Sequence, residues 1–336
     1  MNELLYNILS WINSWTGSWG WAMVVFTFLI RLAISPLDYK SRAGMRKTTK
    51  LQPQLAALQK KYANDKEKLN AKTAELYKKA GVNPMASCLP MLLTFPILII
   101  VFNAMRTAAN REILGQLTQI LNGETPKMES WLWIRNIWMP DSPFFSAWPD
   151  ANTLRMISAD LWKSWFAGLE STPVLMQGLG LTADSFESAN LAATIQTLME
   201  AVSRNEAYVA GITPIPGWNN LSVLGLINFS VFQDYNGLLI LPILSSVTQI
   251  IMTKITGTGQ TAQPADANGQ SAATGKMMTW FFPIFSLVIC VGYTAAFALY
   301  WVAGNVISML QTIVINKMLD KKEQREAALS VEGNVK

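Results

Sequence analysis

The apolar positions of this chain come in long blocks set off by charged residues. Between Glu3 and Arg31 lie 27 consecutive uncharged residues, between Lys79 and Arg106 there are 26, between Asp234 and Lys254 there are 19, and between Lys276 and Lys317 there are 40. A helix crosses a hydrocarbon core of about 30 Å in about 20 residues, so the first three blocks each hold one span and the last holds two. The pattern predicts an all-α polytopic membrane protein with five transmembrane helices, at 17–38, 84–106, 236–254, 277–292 and 295–317.

Shorter patterns fill in the connections. Leu4, Leu5, Ile8, Leu9 and Ile12 recur at helical spacing close to Trp11, Trp15, Trp19 and Trp21, which predicts an interfacial helix over 1–16, since tryptophan favours the headgroup level. Pro36 is expected to help stop span one. Over 39–83, Leu51, Leu55, Leu58 and Tyr62, then Leu69, Thr73, Leu76 and Ala80, form two narrow apolar seams on either side of Ala63-Asn64-Asp65. They predict an antiparallel helical hairpin, with Pro53 in a first turn or at a kink, Gly81 at a left-handed C-cap and Asn83-Pro84 starting the next helix. Span two carries Pro90 and Pro96 and polar Ser87, Thr94 and Asn103. Residues 255–276, rich in Gly, Thr, Gln and Ala, are expected to be a flexible loop. The apolar core of span four, Trp280 to Val291, is short enough to thin the bilayer locally, and a turn is expected near Gly292-Tyr293-Thr294.

Region 107–235 is too long for a simple connector. Leu154, Ile157, Leu161, Trp165 and Leu169 predict one amphipathic helix, and Leu191, Ile195, Leu198 and Val202 another, with Thr182 and Ser185 as caps. Seven of the 13 tryptophans lie in this region, which suggests a small helical domain leaning on the membrane surface.

Composition then adds direction. Only 15% of residues are charged and 51% are hydrophobic, which excludes disorder, collagen and a secreted disulfide scaffold. Between Tyr39 and Pro84 there are twelve basic residues and three acidic ones, whereas Thr107 to Tyr235 carries six and twelve. The positive-inside rule places the first segment in the cytoplasm and the second outside, so the N-terminus is expected outside and the C-terminus, with the 318–336 tail, inside. The one charge before Arg31 is Glu3, so span one lacks the basic flank of a cleaved signal and is expected to stay as an anchor.

The chain contains no histidine, and its two cysteines, Cys88 and Cys290, lack metal or redox spacing and read as buried small residues. It also has no Gly-rich phosphate loop and no hydrolase motif. No catalytic residue, metal site or cofactor is expected, and the chain is read as a non-enzyme.

Arg31 breaks the pattern. It stands seven residues before Asp38, roughly 10 Å into the membrane at 1.5 Å per residue. A charge at mid-span costs about 2.5–3.5 kcal/mol on insertion scales. Snorkelling to the headgroups is the plain alternative. No span interior supplies an acidic partner, which leaves a wet cavity. Thr27, Thr94, Gln249, Asn305 and Gln311 are its candidate lining, although each alone fits an interhelical hydrogen bond.

The stretches "RLAISPL", "LQPQLAALQKKY", "LYKKAGVNPMASCLPMLLTFPI", "LLILPILSSVTQ" and "LYWVAGNVISMLQ" resemble, in order, the YidC family of membrane protein insertases. The resemblance implies that Arg31 lies in a hydrophilic groove open to cytoplasm and lipid, and that Thr27 and Trp301 match positions facing the substrate helix. With the polar residues of the spans, the expected groove residues are Arg31, Thr27, Thr94, Gln249, Trp301 and Asn305. The chain departs from the family at Thr94, commonly Gln, and at Thr294 to Phe297, commonly Pro-(Ser/Ala)-Gly-Leu. The element "LWIRNIW" with Asp141 matches, but its continuation resumes only near Asp234, so 142–233 reads as a 92-residue insertion.

The implied function is integration of newly made membrane proteins in the plasma membrane, without covalent chemistry. The implied partners are nascent membrane proteins and the bilayer, with the ribosome and the Sec translocon as further family partners and no sequence-specific nucleic-acid binding. The tail's five basic and four acidic residues differ from the strongly basic ribosome-binding tails of some relatives. The basic hairpin suits nascent chains, ribosomal RNA or anionic lipid, or simply sets topology. The rival readings are a small-solute transporter or channel, suggested by broken helices and an intramembrane charge, and a receptor using the outer domain.

Overall fold

The computed structural model describes residues 2–81, 89–169, 178–223, 227–256 and 270–334, with side chains at all of these but 2, 89–95, 223, 227, 256, 270–279 and 330–334. The described chain is mostly helical. In chain order the helices are α1 (Asn2–Thr16), α2 (Trp19–Lys50), α3 (Gln52–Lys61), α4 (Lys66–Lys79), α5 (Leu89–Leu121), α6 (Ala151–Arg155), α7 (Ala159–Ala167), α8 (Leu191–Val202), α9 (Glu206–Ile212), α10 (Ile240–Thr256), α11 (Gln270–Gly292) and α12 (Ala295–Asn334). Among the described residues, Trp19–Lys50 and Ala295–Leu329 are long and apolar enough to cross a membrane, and Ile240–Ile255 and Trp280–Gly292 are shorter apolar helices. Cys88, Ser87, Asn83-Pro84 and most of the 255–276 loop lie outside the described residues, as does the side chain of Thr94.

Several boundaries differ from the sequence expectation. Helix α2 runs through Pro36 to Lys50. A proline removes one donor, and a membrane helix tolerates that loss when its neighbours compensate. Helix α5 continues past Arg106 to Leu121, because Ala104, Ala108, Ile113, Leu117 and Ile120 keep an apolar face buried beyond the uncharged block. It ends where Gly123 adopts a φ of 81°, with Glu124 N–H donating to the Gln119 carbonyl at 2.9 Å. Helix α11 starts at Gln270, inside the segment read as a loop, and α12 extends helically through the tail to Asn334.

The chain divides into two compact units. The first comprises Met1–Met23, Ile100–Ile243 and Val288–Leu299. Here the apolar run at 154–169 is broken into α6 and α7, because Ser158 adopts the extended backbone of an N-cap. Asp150 caps α6, accepting from Thr153 N–H at 2.8 Å. A 3₁₀ turn at Ala183–Phe186 has Ser185 Oγ accepting from Thr182 N–H at 3.0 Å. Phe186 stacks on Trp162, and Ile195, Leu198 and Val202 of α8 are buried. The helical expectation for this region also missed a two-stranded antiparallel sheet, β1 (Leu221–Val223) with β2 (Ile227–Phe229).

The ends of the 142–233 segment meet: Ala147 N–H donates to the Asp234 carbonyl at 2.8 Å, and Asn236 N–H to that of Phe145 at 2.9 Å. Residues 137–141, at the end of the "LWIRNIW" element and just past it, hold two helix starts. The carbonyls of Met139 and Ile137 accept from Ala295 and Ala296 N–H, both at 2.9 Å, and the Thr294 carbonyl accepts from Phe297 and Ala298 at 3.0 and 3.2 Å. Ala295, Ala296 and Phe297 N–H are among the donors that the start of a helix leaves free, and the Ala298 bond is the first within the helix itself. Asp141, fully buried, accepts from Leu238 N–H at 2.8 Å, Leu241 N–H at 2.7 Å and Trp133 Nε1 at 3.2 Å. These bonds bracket Leu239, whose φ of 63° is costly for leucine. Any β-carbon on Gly237 would collide with the Asp141 carboxylate, so glycine is required there.

The second unit comprises Val24–Ile99, Leu244–Leu287 and Tyr300–Lys336. In it α3 and α4 pack together across the turn at 62–65. Asp65 caps α4 by accepting from Lys68 N–H at 3.0 Å, and Gly81 has a φ of 62° just past its end. The end of α2 is clamped to the middle of α12 by charge. Arg46 reaches Asp320 at 2.6 Å and the Asn316 carbonyl at 3.1 Å, while Lys50 reaches Glu323 at 3.0 Å.

Candidate functional site

Helix periodicity sets the site up. Thr27 and Arg31 are one turn apart on α2, so they share a face, and on α12 the series Gly304, Ser308 and Gln311 does the same. These two faces meet. A β-carbon on Gly304 would stand 3.4 Å from Arg31 Nη2 and 3.8 Å from the Thr27 γ-methyl, so the guanidinium lies along α12 at a residue without a side chain. Gln311 Nε2 donates to the Arg31 carbonyl at 3.5 Å. Thr27 is only 1% exposed, whereas Arg31 is half-buried. Among the described residues no carboxylate stands within ion-pairing distance of Arg31. Ser308 is buried and its Oγ has no partner among them.

Asn305, next to Gly304, is turned elsewhere. Its Nδ2 donates to Thr248 Oγ1 at 3.1 Å and to the Ser245 carbonyl at 3.4 Å, and Ser245 Oγ donates to the Ser286 carbonyl at 3.4 Å. These bonds tie α10, α11 and α12 together. Gln249 is half-buried, its carbonyl accepting from Thr253 Oγ1 at 2.8 Å, and Trp301 is half-buried on α12. Thr94 lies on α5. Of the six residues named from sequence, then, Thr27 and Arg31 come together, with Gly304 and Gln311 as their neighbours, while Asn305 belongs to a hydrogen-bonded helix contact. Gly304 was missed, because a glycine inside an apolar stretch reads as close helix packing. Among the described residues no group of histidine, cysteine and carboxylate side chains could hold a metal.

The arrangement can hold an anionic group. A guanidinium offers five donors in a planar fork that matches a carboxylate, and removal from bulk water strengthens the attraction.

A family model described as 60Kd inner membrane protein matches residues 11–202 and 191–323. The chain is similar to the membrane protein insertase YidC of Wolinella succinogenes, 39% identical over 104 residues that make up 31% of this chain and 19% of that protein. It is 38% identical to the membrane protein insertase YidC of Campylobacter jejuni over 104 residues, 31% of this chain and 20% of that protein. Likeness to the membrane protein insertase YidC of Chlorobaculum tepidum runs over 333 residues at 24% identity, covering 99% of this chain and 38% of that protein. The chain therefore spans less than two fifths of the length of these relatives.

Proposed function

Because the chain belongs to the 60Kd inner membrane protein family, we propose that it is a membrane protein insertase whose groove is organised around Arg31. The relatives' names favour insertion over small-solute transport. In this reading five spans, with the N-terminus outside and the C-terminus in the cytoplasm of a plasma membrane, carry α3 and α4 as a cytoplasmic antiparallel hairpin. Newly made membrane proteins and the bilayer are the partners, with the ribosome and the Sec translocon delivering substrates, and insertion proceeds with no covalent step.

One observation carries it: a half-buried arginine inside an apolar helix with no carboxylate in reach among the described residues. An intramembrane charge costs free energy and is retained for use. The polar tail of a substrate enters the groove and its acidic residues pair with Arg31, while its apolar helix leaves against α10 and α12. Carrying two such charges through the bare bilayer centre would cost about 5–7 kcal/mol, and a polar groove part-way across removes much of that. Thr27, Thr94, Gln249 and Trp301 complete the lining, while Asn305 holds α12 to α10.

In vesicles containing the purified chain, Arg31→Ala is expected to lower insertion of a single-span substrate with two acidic residues in its translocated tail by about tenfold, or about 1.4 kcal/mol. Arg31→Lys keeps the charge and is expected to retain most of the activity. Equal insertion by wild type and the alanine variant would sink the proposal.

A further inference from the structure

Glycine at position 304 is not explained by backbone freedom. It lies inside α12, is not among the residues with positive φ, and glycine in a helix interior is destabilising relative to alanine. Its surroundings limit how large a side chain can stand there. The point where its β-carbon would stand is 3.4 Å from Arg31 Nη2, 4.0 Å from Arg31 Nε and 3.8 Å from the Thr27 γ-methyl. Those are ordinary contact distances, so a methyl group fits. A longer side chain places its γ-carbons about 1.5 Å further out, in the volume held by the guanidinium or the threonine methyl. Thr27 is buried and fixed, while Arg31 is half-buried at the end of a flexible stem. The arginine is therefore the group that must yield.

We infer that Gly304 is a positioning residue, whose missing side chain holds the guanidinium against α12 and thereby sets the groove's preference for acidic over neutral polypeptide segments. The inference rests on the reading of Arg31 given above. It assigns selectivity to a residue with no polar side chain: widening position 304 moves the charge away from where a substrate carboxylate meets it and leaves the rest of the lining intact.

The test uses the full chain in vesicles and two substrates that differ only in whether the translocated tail carries two aspartates or two asparagines. Gly304→Ala and Gly304→Leu are made with Arg31 present and with Arg31→Ala. Gly304→Ala should stay within about twofold for both substrates, while Gly304→Leu should lose about fivefold on the aspartate tail and under about twofold on the asparagine tail, with no added loss in the Arg31→Ala background. Equal loss on both tails, or the same loss without Arg31, overturns the inference and makes Gly304 a packing residue alone. An Arg31→Ala chain that inserts the aspartate tail normally removes the underlying reading instead, and this inference with it. Should the leucine variant not fold, Gly304→Cys with Cys88 and Cys290 replaced by alanine is folded first and then capped with methyl methanethiosulfonate. The cap should reproduce the selective loss, and a cap without effect overturns the inference.

Discussion

Asp141 and Arg31 are both charged side chains drawn out of water, and their surroundings differ in kind. The Asp141 carboxylate meets three donors at 2.7–3.2 Å. Its neighbours are equally well satisfied: Asn136 N–H donates to Asn236 Oδ1 at 2.8 Å, Asn136 Nδ2 to Gln116 Oε1 at 2.9 Å and to the Ala147 carbonyl at 2.8 Å, and Asn236 Nδ2 to the carbonyls of Asn136 and Pro140 at 2.9 and 2.8 Å. Arg31 has no carboxylate in reach among the described residues and lies beside a bare helix backbone. Buried polar groups whose demands are met hold a fold together. A group whose demand is left open costs stability and is useful only to something that arrives later.

By that contrast, the largest effect on folding comes from Asp141. Asp141→Ala strands two backbone donors at the start of α10 and the indole N–H of Trp133, and it releases the bracket around Leu239. Hydrogen bonds to a charged group contribute about 1.5–3 kcal/mol each and are not additive, so a loss of about 3–5 kcal/mol is expected. Thermal unfolding of the purified protein in detergent should show it, with Asp141→Asn in between because the amide keeps one acceptor. A thermal midpoint unchanged by the alanine would erase the distinction drawn between the two charges.

Arg46 is the intermediate case. Its guanidinium meets Asp320 at 2.6 Å and the carbonyl and Oδ1 of Asn316 at 3.1 and 3.3 Å, with its side chain 26% exposed. Solvent screening limits such pairs, and Arg46→Ala is expected to cost about 1 kcal/mol by the same unfolding measurement. A cost matching that of Asp141→Ala would mean that the clamp between α2 and α12 is a core element and not a surface tie.

How much of this was visible in the sequence depends on how far apart the partners lie. The uncharged blocks mark α2, α10, α11 and α12 because hydropathy is a local property, and the Thr27 to Arg31 spacing gives a shared face by helix geometry alone. Pro36 does not end α2, because the propensity rule for proline holds for exposed helices and a membrane helix can satisfy the lost bond through its neighbours. The 154–169 run misled because apolar periodicity continues across the break at Ser158. Asp141 was seen as part of a motif, but its role was not legible, since its backbone partners lie 97 and 100 residues away. Gly304 was hidden for a simpler reason: its function is an absent side chain, and only the arginine lying 3.4 Å from the missing β-carbon reveals it.

On folding, Arg31→Ala should sit close to zero, within about 0.5 kcal/mol, because removing an unmet demand offsets the lost packing of the stem. That is the sharpest form of the comparison: the same substitution that lowers insertion of acidic tails leaves the thermal midpoint in place. A fall as large as that of Arg46→Ala would give Arg31 a structural partner and weaken its assignment to substrate.

The smallest effect belongs to Glu75, a charge in water with all the partners it could want. On α4 it accepts from Lys72 at 2.8 Å and Lys79 at 2.7 Å, and the hydrogen bonds from these two ammonium groups, Lys72 first, lower its carboxyl from 4.5 to about 2. A lowered pKa means that whatever the pair contributes is complete above the ordinary carboxylate value and is lost as the pH falls through about 2. The carboxyl carbon resonance of Glu75 should therefore titrate near 2. Yet the carboxylate lies at the surface, its side chain 43% exposed, and water replaces the lysines nearly as well as it hydrates them. Glu75→Gln is accordingly expected to leave the thermal midpoint unmoved at neutral pH. A measurable fall would show that full hydrogen bonding stabilises a helix in water as it does out of water, and the contrast between Asp141 and Arg31 would then owe less to burial than to partner count.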